Sequence, residues 1–300
     1  MMKRRSLGGV FALVGLLFSA SLVSAEAPQR IVSLGGSVTE ILYQLGIQDR
    51  IAAVDVTSVY PPQALKDKPN VGYIRALNAE GVLAADPDLI LAEHDAGPPE
   101  VVDLLKSASV PFVQINAARD ASGVYQKIRT IGEAVDRQAE AEALIADVSK
   151  AFDATKKAVA KLPQDRRLNV LFILSVQDGR LMVAGENNQA DAVIAMAGGT
   201  NLMDGFEGFK MVDDEALLAN PPDAIVMMTR SNHVAGDDVL SAHPALKASP
   251  AIKNKRIIRM DGMYLLGFGP RTAFAVADLA RTLYPGETAL EGLPSTDHKP

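Results

Sequence analysis

The stretch "AEGVLAADPDLILA", residues 79–92, decides the architecture because the chain contains it twice. "DEALLANPPDAIVM", residues 214–227, repeats it in register, with Glu80 and Glu215 each seven residues ahead of a Pro-Asp pair, Pro87-Asp88 and Pro222-Asp223. Each copy reads as a short helix, a Pro-containing turn and an apolar strand. A unit repeated once at so long a distance is no solenoid; it marks two similar lobes.

Working outward, β-rich runs alternate with helical patterns. "RIVSLG", "IAAVDV", "NVGYI", "DLILAE" and "PFVQIN" occupy the first half, and "LNVLFIL" (168–174), "AIVMMT" (224–229) and "RIIRMDG" (256–262) the second. Such alternation predicts an α/β protein with parallel sheets in two Rossmann-like lobes. Residues 122 to 161 carry almost no breaker, and "AEAEALIADVSKAFDATKKAVAKL" is rich in strong helix formers with apolar residues at 3 and 4 spacing. That predicts one long bridging helix over 136–162, closed by Lys156, Lys157, Lys161 and Pro163. The lobes are then 26–135 and 163–286, followed by a flexible tail at 287–300.

Lys3, Arg4 and Arg5, an apolar run from Val10 to Val23 and the small residues of Val23-Ser24-Ala25 read as an export signal over residues 1–25. The run is too short to span a bilayer comfortably. Without those three cations, 27 Lys and Arg face 36 acids, a net of −9, which argues against nucleic acid as a partner. The chain has no cysteine, so disulfides, thiol metal ligands and a lipidated N-terminal cysteine are excluded; a free periplasmic protein of a Gram-negative cell is expected.

From "RIVSLGGSVTEILYQLG" through the paired Glu…Pro-Asp segments to "LLGFGPRTAFAVADLARTLYP", nearly the whole mature chain resembles the periplasmic substrate-binding proteins of ABC importers. It is similar to their helix-bridged class III, which handles siderophores, cobalamin and haem. "GYIRALNAEG", residues 72–81, resembles a segment of the haem-binding subgroup. The resemblance implies haem as the transported ligand, an importer permease and its ATPase subunits as partners, no enzymatic activity and a monomer outside the membrane.

If residues 70–74 form a strand, Tyr73 and Arg75 point to the same side near its carboxyl end, where open α/β sheets bind ligands. A free tyrosine ionises near pH 10, and a ferric ion with a nearby cation favours its phenolate. On spacing alone, an ordinary half-buried tyrosine beside a solvated arginine carries more weight. The family segment reverses that balance. The resemblance implies Tyr73 as axial haem ligand and Arg75 as partner of the phenolate or of a haem propionate.

Arg230 follows "AIVMMT" and is the candidate for a propionate across the cleft, against the alternative of a surface arginine. His94 and His233 also follow strands and are candidate cleft residues. Some relatives take a second axial ligand from the loop after the first strand of the second lobe, but "SVQDGR" offers no histidine there, so Tyr73 alone is expected on the iron. Scattered histidines make a dedicated metal-ion carrier a weaker alternative, after a ferric siderophore or cobalamin. Ser37 lacks the glycine a nucleophile elbow needs and reads as a helix cap or cleft residue; Ser37 or Thr39 would cap, with Glu40 in the first turn. "GFGPRTA" (267–273) fails as a dinucleotide fingerprint and opens a C-terminal helix instead. Met263 and Tyr264 are candidate cleft residues for which core packing carries more weight. By the resemblance, Glu80 and Glu215 would dock against permease arginines; a carboxylate in a first helical turn is also favourable without any partner.

Overall fold

The computed structural model describes residues 26–229 and 235–295. The expected leader at 1–25, Arg230, His233 and residues 296–300 of the tail lie outside the described residues.

The first lobe runs β1 (Ile31–Leu34), α1 (Gly36–Gln44), β2 (Ile51–Val54), α2 (Gln63–Asp67), α3 (Ala79–Leu83), β3 (Leu89–Glu93), α4 (Pro99–Ser107), β4 (Phe112–Ile115) and α5 (Ala121–Ala134). Its strands form one parallel sheet in the order β2-β1-β3-β4. After α6 (Gln138–Val159) come β5 (Asn169–Gln177), β6 (Arg180–Ala184), α7 (Gln189–Met196), β7 (Thr200–Asn201), β8 (Phe209–Val212), α8 (Asp214–Ala219) and β9 (Ala224–Met228). The chain closes with α9 (Asp237–Ala242), α10 (Pro250–Lys253), β10 (Ile257–Met260), α11 (Gly262–Leu266), α12 (Thr272–Leu283) and α13 (Thr288–Glu291). The second sheet is ordered β10-β9-β5-β6-β8, with β7 beside β5.

Strand alternation assigns each face. In the first sheet Ile31, Val54, Leu89 and Leu91 pack against α1, α5 and α6, while Val32, Leu34, Ala53, Ile90 and Ala92 pack against Val82 of α3 and Leu105 of α4. The larger core cluster continues through Ile145, Val148 and Phe152 of α6 into Phe172, Val226 and Val276 of the second lobe. The 22 residues of α6 span about 33 Å and lean on α5 on one side and on α12 and α13 on the other.

The bridging helix expected over 136–162 is present as α6; Asp136, at φ +57°, and Arg137 N donating to Gly132 O at 2.7 Å turn the chain into it from α5 of the first lobe. Three expectations need correction. The second sheet is mixed: Asp178 and Gly179, at φ +50° and +77°, make a two-residue hairpin, so β6 and then β8 run antiparallel. "NVGYI" is not a strand; it makes a single parallel bridge, Val54 with Asn70, before Gly72 at φ +98° ends the extended run. The tail is not loose throughout, since α13 buries Leu290, with Leu293 behind it.

Candidate functional site

The duplicated segment is built the same way in both lobes. Asp88 accepts backbone N–H bonds from Gln29 (2.7 Å) and Arg30 (2.9 Å), just ahead of β1, and Asp223 accepts one from Asn169 (2.9 Å) at the start of β5. The Pro-Asp pair therefore secures the central strand of each sheet. The glutamates play no such part, since Glu80 in α3 and Glu215 in α8 are exposed in the first turns of their helices. Neither carboxylate has a hydrogen-bond or ion-pair partner among the described residues.

Tyr73 reaches its place by a turn rather than a strand. Val56 N donates to Gly72 O at 2.9 Å, tying the segment to the free edge of β2, and Asn70 Oδ1 accepts from Gly72 N at 2.8 Å. Beyond Tyr73 the chain enters a 3₁₀ turn, Ile74–Ala76, whose Ile74 is buried with Leu77 under the sheet face. Gly97, in the loop leaving β3, exchanges backbone bonds with Ile74 (2.9 Å) and Leu77 (2.8 Å). The segment thus crosses from β2 to the end of β3 and leaves Tyr73 42% exposed.

Tyr73 and Arg75 do touch, though not by strand alternation. Arg75 Nη1 donates to the Tyr73 hydroxyl at 3.2 Å, while its Nε donates to Asp95 Oδ2 at 2.9 Å. Burial works against the Arg75 charge, but the Asp95 carboxylate and the Tyr73 hydroxyl outweigh it and hold the guanidinium above its usual range. Such a pair offers a hard oxygen donor with a cation beside it, suited to a trivalent metal centre. His94 follows β3 on the same edge, exposed, with Nδ1 4.0 Å from Glu93 Oε2.

Ser37 is placed elsewhere. It is buried and donates to Glu93, and Lys127 Nζ lies 2.7 Å from its hydroxyl and 3.0 Å from Glu93 Oε1. Nor does Ser37 or Thr39 cap α1: the cap is Gly35, at φ +128°. Asp55 Oδ1 accepts from Gly35 N and Thr57 Oγ1 from Gly36 N, both at 2.9 Å, so side chains beyond β2 serve the helix start.

Lys127 Nζ also approaches Gly267 O of the second lobe at 3.4 Å. Beside it, Arg271 donates through N and Nε to Glu40 at 2.8 and 3.0 Å, and its guanidinium lies 3.4 Å from the Tyr60 ring centroid. Burial raises the Glu40 carboxyl above its ordinary value, and Arg271 and Lys127 oppose the rise. Met263 packs close to Gly36, and the Tyr264 hydroxyl donates to Asp278 at 2.7 Å. These contacts bring the carboxyl ends of the two sheets face to face across a buried polar seam.

Sequence reading missed Asp95 and most of the seam. Two signals existed: Lys127 falls on the buried 3.6-residue stripe of Val124, Ile128 and Ile131, and Glu93 continues the Leu89, Leu91 alternation toward α1 and α5. Arg230 and His233, expected beyond β9, lie outside the described residues. Among the described residues no three His, Asp or Glu side chains converge on a metal site, and no helix is long and apolar enough to cross a membrane.

Residues 31–264 match the family model for periplasmic binding protein. The fold is similar to the solved periplasmic heme-binding protein BhuT in complex with two hemes, at TM-score 0.81 and 36% identity over 87% of this chain and 98% of that one. It is also similar to the periplasmic heme-binding protein RhuT from Roseiflexus sp. RS-1 in apo form, at TM-score 0.80 and 35% identity, covering 88% and 99%. Among curated proteins, the vitamin B12-binding protein of Vibrio vulnificus (strain CMCP6) is 25% identical over 264 residues, 87% of this chain and 92% of that protein. With two α/β sheets meeting at their carboxyl ends over a helical bridge, and no role as an enzyme, the chain belongs to the periplasmic binding protein family.

Proposed function

We propose that this protein captures haem between its lobes and delivers it to the permease of an ABC importer from the periplasm of a Gram-negative cell. The observation that carries the reading is the exposed Tyr73 phenol with Arg75 donating to its oxygen, at the carboxyl edge of the first sheet. Tyr73 serves as the axial ligand of the ferric iron, and the cation beside it favours the phenolate. Solved relatives at 36% and 35% identity are heme-binding by name and support the same reading.

Arg230 serves a haem propionate, and His94, His233, Met263 and Tyr264 line the approach. The working units are the lobes 26–135 and 163–286 on the bridge 136–162. Glu80 and Glu215 are the docking charges, one per lobe. A second reading, cobalamin, rests on the vitamin B12-binding relative.

Haemin titration of the purified protein tests the proposal. A high-spin ferric-tyrosinate spectrum is expected, lost in Tyr73→Phe. Absence of that spectrum, or its persistence in Tyr73→Phe, overturns the haem reading; tight cobalamin uptake by the same protein would favour the alternative.

A further inference from the structure

Arg75 supplies the bond to the Tyr73 oxygen, yet its side chain is 62% exposed on a short turn, and a chain of this length in water has many competing rotamers. What restrains it is Asp95. Nε and Nη2 of Arg75 both donate to Asp95 Oδ2, at 2.9 and 2.5 Å, leaving Nη1 for the phenol at 3.2 Å. The Asp95 side chain is only 31% exposed. Its backbone belongs to the loop after β3, which Ala96 N ties to Glu93 O (3.1 Å) and Gly97 ties to Ile74 and Leu77. The acid is therefore the fixed partner and the arginine the mobile one.

We infer that Asp95 is a positioning residue of the ligand site: it grips one edge of the Arg75 guanidinium so that the opposite nitrogen stays on the Tyr73 oxygen. This inference rests on the haem reading and deepens it. It also assigns Arg75 to the phenolate rather than to a ligand carboxylate, because a carboxylate arriving at that edge must displace Asp95. Charge-assisted bonds through Nε and Nη2 make that displacement unfavourable. Ligand carboxylates must then be met by other cations.

Positioning and plain charge predict opposite signs. If Asp95 only placed an anion near the pair, Asp95→Ala would strengthen the pull of Arg75 on the phenolate and raise the haem reduction potential. If Asp95 positions Arg75, the same substitution frees the arginine into solvent, the phenolate becomes a stronger donor to ferric iron, and the potential falls as it does in Arg75→Gln.

Two measurements decide. In the ligand-free protein, nitrogen-15 NMR should show a slowly exchanging Arg75 Nε–H resonance, identified by its loss in Arg75→Gln. It should persist in Tyr73→Phe and Asp95→Glu and vanish in Asp95→Ala. In the haem-loaded protein, Asp95→Ala should lower the reduction potential in the same direction as Arg75→Gln, by less because the carboxylate is lost as well. Adding Arg75→Gln to Asp95→Ala should lower it no further. A resonance that survives in Asp95→Ala, or a potential that rises, overturns the inference. If no haem binds, the haem reading fails, and the NMR arm still decides whether Asp95 holds Arg75.

Discussion

Tyr73 owes its exposure to the residue before it. Gly72 sits at φ +98°, and no atom lies within 4 Å of where a Cβ would stand, so a side chain there costs backbone strain alone. Gly72→Ala should destabilise the fold by about 1–3 kcal/mol. Relaxing that strain rotates the Tyr73 segment, so haemin affinity should fall by more than the stability loss explains. Parallel thermal unfolding and haemin titration check this; equal affinity in both proteins would detach the glycine from the site. The pairing of Tyr73 with Arg75 was legible because two side chains two residues apart can meet in several backbone forms. The form itself was not legible: "NVGYI" has a strand's composition, and the glycine's positive φ prevailed over it.

At the scale of elements, α1, α5 and the start of α12 meet in the seam, where burial decides what each charge is worth. Glu40 binds its proton more tightly folded than unfolded, since burial raises its carboxyl above 4.5 against the pull of Arg271. Its contribution is therefore most favourable below the unfolded value and declines as pH rises through the folded one. Glu40→Gln, which mimics the protonated acid, should be no less stable than wild type at neutral pH and should lack that decline. Arg271→Met is the opposite case, because it leaves a buried carboxylate without its cation. It should cost about 3–5 kcal/mol at neutral pH and recover part of the loss as pH falls toward 4.5, because the buried carboxyl, held above that ordinary value and no longer opposed by Arg271, takes up its proton on the way. Thermal unfolding of the three proteins from neutral pH down to that value separates these outcomes. Helical sequence was legible here, but the buried stripe of α5 that carries Lys127 went unread, and so did the partners at the helix ends.

For the whole molecule, the two exposed carboxylates on matching helices of the two lobes make a pseudo-symmetric pair. Neither makes a hydrogen bond or ion pair to Tyr73, Arg75 or the seam among the described residues, so reversing them should leave haem binding intact. If Glu80 and Glu215 dock as proposed, Glu80→Lys or Glu215→Lys should each slow haem delivery to the reconstituted importer about tenfold, and the double variant more, because like charges replace opposite ones at the proposed docking face. Uptake into importer vesicles measures this; normal uptake by the double variant would reduce both glutamates to helix-terminus charges. Lobe movement should also be small. One core cluster runs unbroken from the first sheet through α6 to α12, so small-angle scattering with and without haem should give nearly the same radius of gyration.

By itself the sequence determined the alternation of strands and helices, the duplication around Glu80 and Glu215, and the long helix between the lobes. All of these rest on interactions between residues near in the chain, which leave a period or a repeat to read. Only the tertiary structure decided that Arg271 would answer Glu40, that Lys127 would lie between Glu93 and the second lobe, and that Asp95 would hold Arg75. Local pattern records which face of an element is apolar. Which polar end meets which depends on strand order and on how two lobes close over one bridge, and no local period encodes that.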